Sequence, residues 1–464
     1  MLNKTHSIQS ENMTPRERHI AMSLAGIFSS RMLGLFMILP VFTLYTHELK
    51  GSTLFLAGVA MGIYGLTQAL FQIPLGILSD RIGRKPVIIG GLLVFAAGSV
   101  LAALSTSIDG VIAGRALQGT GAIASAVIAL AADLTREEHR VKVMALIGVS
   151  IGISFAVAMV VGPILHGWFG VQGIFWTTAL LALGGIILVR FAVPSPTVSS
   201  FHRDTGIEAS WFLKALRDPQ LLRVDAGIFM LHLNLMASFI VIPRILEHGL
   251  GIPGGHHWEI YLPVMGLAMV AIVPFIIIAE KKHKIKQIMI GAIGTLVIAE
   301  WGMSRLDGSV SGMVVMLLLF FTAFNLLEAT LPSLIAKLAP AAHKGTAMGV
   351  YTTSQFLGVF AGGLSGGWLS YHVSNEAVFM FNGTVTLIWL LLAATMKNPR
   401  YFSSQLLNVG PITESAAQKL AQELAAIRGV EEAMIIAEDG VAYLKVDKAS
   451  LDKDALYAFA KTEE

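Results

Sequence analysis

GILSDRIGRK, residues 76–85, lies between two long apolar stretches and fits the pattern G-x-x-x-D-[RK]-x-G-[RK]-[RK]. A short loop holding Asp80, Arg81, Arg84 and Lys85 cannot sit in hydrocarbon, where a charged side chain costs at least roughly 2.5–3.5 kcal/mol on insertion scales. It therefore marks a membrane surface. Its charge is mainly positive, which places it on the cytoplasmic side. Gly76 permits close helix packing and Gly83 permits the tight turn.

The whole chain agrees with this reading. Of 464 residues, 55% are hydrophobic and 14% are charged, with a mean hydropathy of +0.70. Soluble domains carry about 25% charged residues, so the composition is that of an integral membrane protein. The net charge of +3 says little beside the distribution of the charges. There is no cysteine, which excludes disulfides, thiolate catalysis and soft-metal thiolate sites. The polar N-terminal stretch, with Lys4, Arg16 and Arg18, leads into an apolar run without an Ala-x-Ala cleavage site. That run reads as a retained first helix, not a cleaved leader.

A bilayer core takes roughly 20 apolar residues per helix. Twelve such segments are predicted, six near 20–46, 53–79, 86–105, 108–132, 141–168 and 172–194, and six near 220–246, 257–280, 285–303, 311–338, 344–370 and 375–397. Alternate loops collect the basic residues: Arg81, Arg84 and Lys85; Arg136, Arg140 and Lys142; Arg203, Lys214, Arg217 and Arg223; Lys281, Lys282, Lys284 and Lys286; Lys337 and Lys344. The opposite loops hold little beyond Lys50, Arg244 and Arg305. This alternation supports the count of twelve and predicts both termini in the cytoplasm. The expected organisation is a cytoplasmic tail (1–19), a six-helix bundle (20–198), a cytoplasmic linker (199–219), a second six-helix bundle (220–398) and a small cytoplasmic domain (399–464). In the linker, WFLKALRDP is expected to form a short amphipathic helix. The last segment is not membrane-like. Leu420, Leu424 and Ile427 have helical spacing, VEEAMIIAEDGVAYLKVD reads as two strands about Asp439-Gly440, and LDKDALYAFAKT reads as a helix. With a first strand in SSQLLNVG, the order is βαββα.

The two bundles superimpose in sequence at an offset of 200. Pro74 and Pro274, Asp80 and Glu280, Arg81 and Lys281, Arg84 and Lys284, and Gly91 and Gly291 fall in one register, as do Gly162, Gly167 and Trp168 with Gly362, Gly367 and Trp368. Two related halves imply a substrate site at the midplane between them. The second copy has lost the loop glycines: Gly76 and Gly83 become Ile276 and His283.

With the loop pattern complete, the chain resembles the major facilitator superfamily. Two further elements support the likeness. GRALQGTGAIASA, residues 114–126, fits that family's R-x-x-Q-G-x-G-A, here Arg115, Gln118, Gly119, Gly121 and Ala122. Ala158, Gly162, Pro163, His166 and Gly167 fit the antiporter element G-x-x-x-G-P-x-x-G-G, with Ala158 and His166 departing from it. Together they look like the twelve-helix drug:proton antiporter group. The additional C-terminal domain, similar to ferredoxin-like modules but without Cys-x-x-Cys, brings the likeness to bacterial YajR-type transporters. The resemblance implies an all-α polytopic fold with a small α+β appendage. It implies a conformational latch of Gly76, Asp80, Arg81, Gly83, Arg84 and Asp133, tying the second helix to the fourth and to the start of the eleventh near Gly345 in the outward-facing state. It also implicates Arg115 in proton transfer; the alternative is an arginine that snorkels to the surface.

Ionisable groups inside the segments are the remaining candidates. Glu328, with Asn325 on the same helix face, is a candidate proton carrier or else a structural hydrogen-bond partner. Arg31 is a candidate partner for a carboxylate or an anionic substrate group, and His166 and His232 are titratable. Gln68, Gln72, Gln118, His232, Asn325 and Gln355 are cavity candidates. Asp225 reads as structural and Glu300 as a surface residue near a helix end. No metal or cofactor is expected, and no nucleic acid, since topology explains the basic residues. There is no phosphate loop, so an ATP-driven pump is not supported. The sequence thus points to an inner-membrane secondary transporter, expected to exchange protons for small amphipathic or hydrophobic compounds. The alternatives are a nutrient symporter or uniporter, and a sensor whose tail domain binds an unidentified ligand or partner.

Overall fold

A computed structural model describes residues 13–194, 214, 216–340, 344–398, 403–410, 412–437, 440–447 and 450–459. The start of the N-terminal tail and most of the linker, including part of its expected amphipathic helix, lie outside these residues. The membrane body is built from α1 (Pro15–Phe36), α2 (Leu54–Ile82), α3 (Arg84–Leu104), α4 (Ile108–Thr120), α5 (Ala124–Leu134), α6 (Glu137–Ile187), α7 (Pro219–Arg244), α8 (Trp258–Lys281), α9 (Ile285–Leu306), α10 (Val310–Leu338), α11 (Lys344–His372) and α12 (Asn375–Ala394). Side-chain caps fix several starts: Thr14 and Glu17 form a capping box on α1, and Thr53, Ser107, Asp218, Ser309 and Ser374 cap α2, α4, α7, α10 and α12.

Among the described residues, ten helical stretches are long and apolar enough to cross a membrane. The relation to the twelve predicted segments is informative. The fifth and sixth segments run together as the 51 residues of α6, which turn at Gly170 (φ 65°, ψ −172°). Both legs pack on α1: Gly162 meets the Met37 carbonyl, and Gly34 meets Thr178. The fourth segment is broken into α4 and α5 at Gly121, which leaves a carbonyl free inside the bundle. Arg31 Nη2 donates to that carbonyl at 3.3 Å, as a break at membrane depth requires. The eleventh, α11, is 29 residues long but rich in Gly, Ser and Thr, so its apolarity is lower. It needs small residues because it lies sandwiched between α2 and α7.

That packing is the seam between the halves. A Cβ on Gly62 would stand 2.9 Å from the Phe360 carbonyl oxygen, and one on Gly363 would stand 2.8 Å from Gly62 Cα. Gly58 faces the Gly363 carbonyl and Gly367 faces that of Leu54. The repeat recurs here as geometry. Gly162 sits on α1 and Gly362 sits on α7, against the Leu233 carbonyl; Gly167 then reaches Gly255 in the other half, as Gly367 reaches Gly58. At the signature loop, Gly83 joins α2 to α3 with φ 98° and ψ 151°, a conformation that L side chains rarely adopt. Its counterpart His283 keeps a positive φ of 55° without the glycine.

Beyond the bundles, β1 (Ser403–Asn408), α13 (Glu414–Ala425), β2 (Val430–Ile436), β3 (Val441–Val446) and α14 (Lys453–Tyr457) form the small α+β domain in the expected βαββα order. The sheet is antiparallel with strand order β1-β3-β2. Leu407, Leu424, Val430, Leu444, Val446 and Leu456 make its core. Lys445 ties it to the membrane body: its Nζ donates to the Ala339 carbonyl at the end of α10 (2.5 Å) and pairs with Glu432 (3.3 Å). A cation at a helix C-terminus is favourable to the helix dipole.

Gly363→Ala should destabilise the purified protein by about 1–3 kcal/mol, the usual cost of overpacking. Gly294→Ala on α9, where a Cβ would meet nothing within 4 Å, should be neutral or slightly stabilising. Thermal unfolding of the two variants in one detergent checks the contrast.

Candidate functional site

The signature loop is built around Arg84, which is 5% exposed although it sits at a helix start. It bonds to Asp80, to Ser79 Oγ (2.8 Å) and to Asp133 Oδ2 (3.3 Å). Asp133, at the end of α5, is thereby tied to the α2–α3 turn. Arg81 is exposed, Gly76 is buried, and Lys85 donates to the Val193 carbonyl (2.7 Å). The second copy has a matching tie. Glu280 accepts from Ser333 (2.8 Å) and Lys337 (2.7 Å) on α10, and Ser333 stands at the position of Asp133 plus 200. Each of these bonds stays within its own half. The expected approach of Asp80 to the start of α11 is not made among the described residues, where Asp80 bonds to Arg84 and the halves close on the side opposite the loop. That closure is made by Gly167 on Gly255 and by the α2–α11 seam.

At mid-depth, the first half presents Arg31 on α1, with no exposed surface. Its Nη2 donates to Tyr64 Oη (2.9 Å) and Gln68 Oε1 (2.6 Å), and its face lies 5.4 Å from the Phe95 ring. Its Nε and Nη1 have no partner among the described residues. Gln68 continues to Gln72 (3.2 Å), and Gln72 Nε2 crosses the seam to Thr352 Oγ1 on α11 (2.5 Å). Arg115 lies in the same half, donating to the Ala60 carbonyl (3.3 Å) and Gln118 Oε1 (2.8 Å), with its guanidinium 5.1 Å from the Tyr64 ring. It does not snorkel: it is 2% exposed. Gln118 reaches Ser99 on α3 (2.7 Å) and so belongs to the interior of the first half, not to the space between the halves.

The second half answers with a carboxyl cluster. Gln355 Nε2 on α11 lies 2.8 Å from His232 Nε2 on α7 and 3.3 Å from Glu328 Oε1 on α10, and His232 is 3.8 Å from Glu328 Oε2. Glu328 is half-buried. Asn325 bonds to the Phe321 carbonyl of its own helix (2.8 Å) and adds nothing to the cluster. Around it stands an aromatic group that sequence reading did not single out. Phe155 of α6 packs against Phe36 and, across the halves, against Phe321 and Phe324, while Phe324 also meets the His232 ring. The FFTAF run at 320–324 was the available signal, since aromatic residues four apart share one helix face.

Two candidates lie elsewhere. His166 sits at the closed face, its Cδ2 beside Gly254 together with Glu247 Oε2, away from Glu328. Gly162 and Gly167 act in helix packing, as described, and Pro163 lies within α6 between them. Glu300, expected at the surface, is fully buried between α7, α9 and α12. Its depth along the helix was readable, but the face it presents was not.

The family model described as Major Facilitator Superfamily matches residues 24–363 and 313–422. The inner membrane transport protein YajR of Escherichia coli (strain K12) is 50% identical over 435 residues, covering 94% of this chain and 95% of that protein. The multidrug resistance protein MdtH of Photorhabdus laumondii is 24% identical over 393 residues, covering 81% of this chain and 94% of that protein. Among solved structures, a bacterial homologue of the human lysosomal transporter Spinster, in an inward-facing and unoccupied conformation, aligns with a TM-score of 0.65. At 14% identity, over 84% of this chain and 99% of that one, it speaks for the fold.

Arg84→Ala should be the most damaging change in the loop, by about 3–5 kcal/mol, because it removes the cation from two carboxylates at once. Asp80→Asn, at a partly exposed position, should cost under about 1 kcal/mol. Unfolding midpoints of the two variants give the comparison.

Proposed function

The chain belongs to the major facilitator superfamily, among its YajR-type transporters, and on that premise we propose that it is a proton-coupled exporter of small amphipathic or hydrophobic compounds in a bacterial inner membrane. The observation that carries this reading is the Glu328–Gln355–His232 cluster. It places a titratable carboxyl on α11's side of the seam, facing a half whose mid-depth polar chain ends in an arginine. Protonated, Glu328 is neutral; deprotonated, it is an anion that favours a cationic or hydrogen-bonding substrate. A single site can therefore exchange one for the other. The Phe155, Phe321 and Phe324 group supplies an apolar wall of the kind small-molecule sites use. The multidrug resistance relative supports the substrate class. With the basic loops and both termini on the cytoplasmic side, closure at the opposite face is the inward-facing stage of alternating access. In the outward-facing stage, Asp80, Arg84 and Asp133 would then latch against α11.

A second reading, nutrient symport, draws on Ala158 and His166, which depart from the antiporter element. Proteoliposomes loaded with a pH dye distinguish the two. Export predicts proton movement opposite to substrate movement, abolished in Glu328→Gln while substrate binding persists. Downhill substrate movement without linked proton flux would sink the proposal, and protons moving with the substrate would establish the second reading. Asp80→Asn should fold normally and lose most transport; full activity would remove the latch role.

A further inference from the structure

Glu300 takes no part in the central cluster. It lies on α9 with no exposed surface, held in a network that joins α9 to α7 and α12. Ser238 Oγ donates to Glu300 Oε1 (3.0 Å), and Asn382 Nδ2 lies 2.9 Å from Ser238 Oγ, 3.4 Å from the Asn234 carbonyl and 3.5 Å from Glu300 Oε1. Asn234 Nδ2 donates to Thr386 Oγ1 (2.9 Å) and the Met230 carbonyl (2.7 Å), and the Thr386 hydroxyl donates to the Asn382 carbonyl (2.8 Å). Asn234, Ser238, Glu300, Asn382 and Thr386 are all fully buried.

Every side-chain donor in this network is in use, yet three acceptors are not. Glu300 Oε2, Asn234 Oδ1 and Asn382 Oδ1 have no partner among the described residues. Among the described residues, no basic side chain pairs with the carboxylate. The charged groups and histidines on its own helix and on those packed around it are Lys286 and Arg305 on α9, Arg223, Asp225, His232 and Arg244 on α7, Glu259, Glu280 and Lys281 on α8, Glu328 and Lys337 on α10, and Glu376 on α12, and none of them is bonded to Glu300 among the described residues. The side chains bonded to Glu300 are Ser238 and Asn382. A buried carboxylate with surplus acceptors and no cation is among the costliest arrangements in a membrane interior. What the network lacks is one positive charge. All its free ligand atoms are oxygens, which suits a hard cation and not a transition metal. With one carboxylate, it can neutralise a single charge.

We propose that Glu300, Asn234, Asn382 and Ser238 form a binding site for one monovalent cation, a sodium ion or a proton, inside the second six-helix half. The site clasps three helices, so its occupancy stabilises that half. It is independent of the direction of transport, since none of its residues lies in the central cluster. It does share a helix with that cluster: Asn234 follows His232 on α7 by two residues.

The test is thermal unfolding of the full-length protein in detergent. In one arm sodium chloride replaces choline chloride at constant ionic strength and pH; in the other, pH is lowered without sodium. The unfolding temperature of the wild type should rise by a few degrees in the arm that supplies the true occupant. Glu300→Gln, which keeps the shape and removes the charge, should lose that rise. Ser238→Ala keeps the carboxyl and should shift the midpoint of the response by about tenfold, as loss of a supporting hydrogen bond typically does; it also decides the matter if Glu300→Gln fails to fold. A response confined to the sodium arm identifies sodium, and one confined to the pH arm identifies the proton. A wild type indifferent to both arms, or variants that respond as the wild type does, would overturn the proposal.

Discussion

The rest of the structure depends on two helices meeting with nothing but backbone between them. Where α2 crosses α11, Gly58, Gly62, Gly363 and Gly367 leave no room for a β-carbon. In a bilayer there is no hydrophobic effect to press helices together, so close van der Waals contact between small residues takes that role. The seam sets the register of the two halves. It brings Gln72 to Thr352 and Tyr64 against Phe356. One turn further along α11, it places Gln355 beside His232 and Glu328. The polar chain of one half and the carboxyl cluster of the other thus share one depth because their scaffold helices touch.

The halves repeat each other in backbone and oppose each other in charge. Away from the loops, the first buries Arg31 and Arg115 and gives them glutamine, tyrosine and carbonyl oxygens as partners. The second buries Asp225 and Glu300 and half-buries Glu328, with serine, asparagine, glutamine and histidine as partners. The basic-face ties differ in the same sense: an acid at 133 receives Arg84, whereas a lysine at 337 meets Glu280. Duplication accounts for the shared geometry.

Much of this was legible in the residues. The offset of 200 anticipated that Gly162 and Gly362 would serve the same helix pair in each half, and the βαββα order of the tail followed from its periodicities. The twelve predicted segments found counterparts in the helices, but two boundaries were hidden for physical reasons. The break at Gly121 is sustained by Arg31, 90 residues away in sequence, and no local pattern reports such a partner. The long α6 shows its turn only in the φ of Gly170. Residue facing was harder than residue depth. Glu300 was placed near a helix end, which is right in depth, but its side chain turns inward. Gln118 reads as a cavity residue yet points to Ser99. Along an apolar helix buried on several sides, hydrophobicity does not distinguish the faces, and a polar residue's direction is set by neighbours that one sequence does not name.

Lys445 on the Ala339 carbonyl moors the tail domain to the second half. In the proposed alternating-access cycle, a body clasped to the end of α10 would travel with the second bundle. Its separation from the signature loop on the first bundle would then gauge the stage of that cycle. Because the chain contains no cysteine, two introduced thiols, one on the tail and one beside Arg81, would be the sole labelling points on the molecule. The protein carries its own calliper, with the tail as the moving jaw.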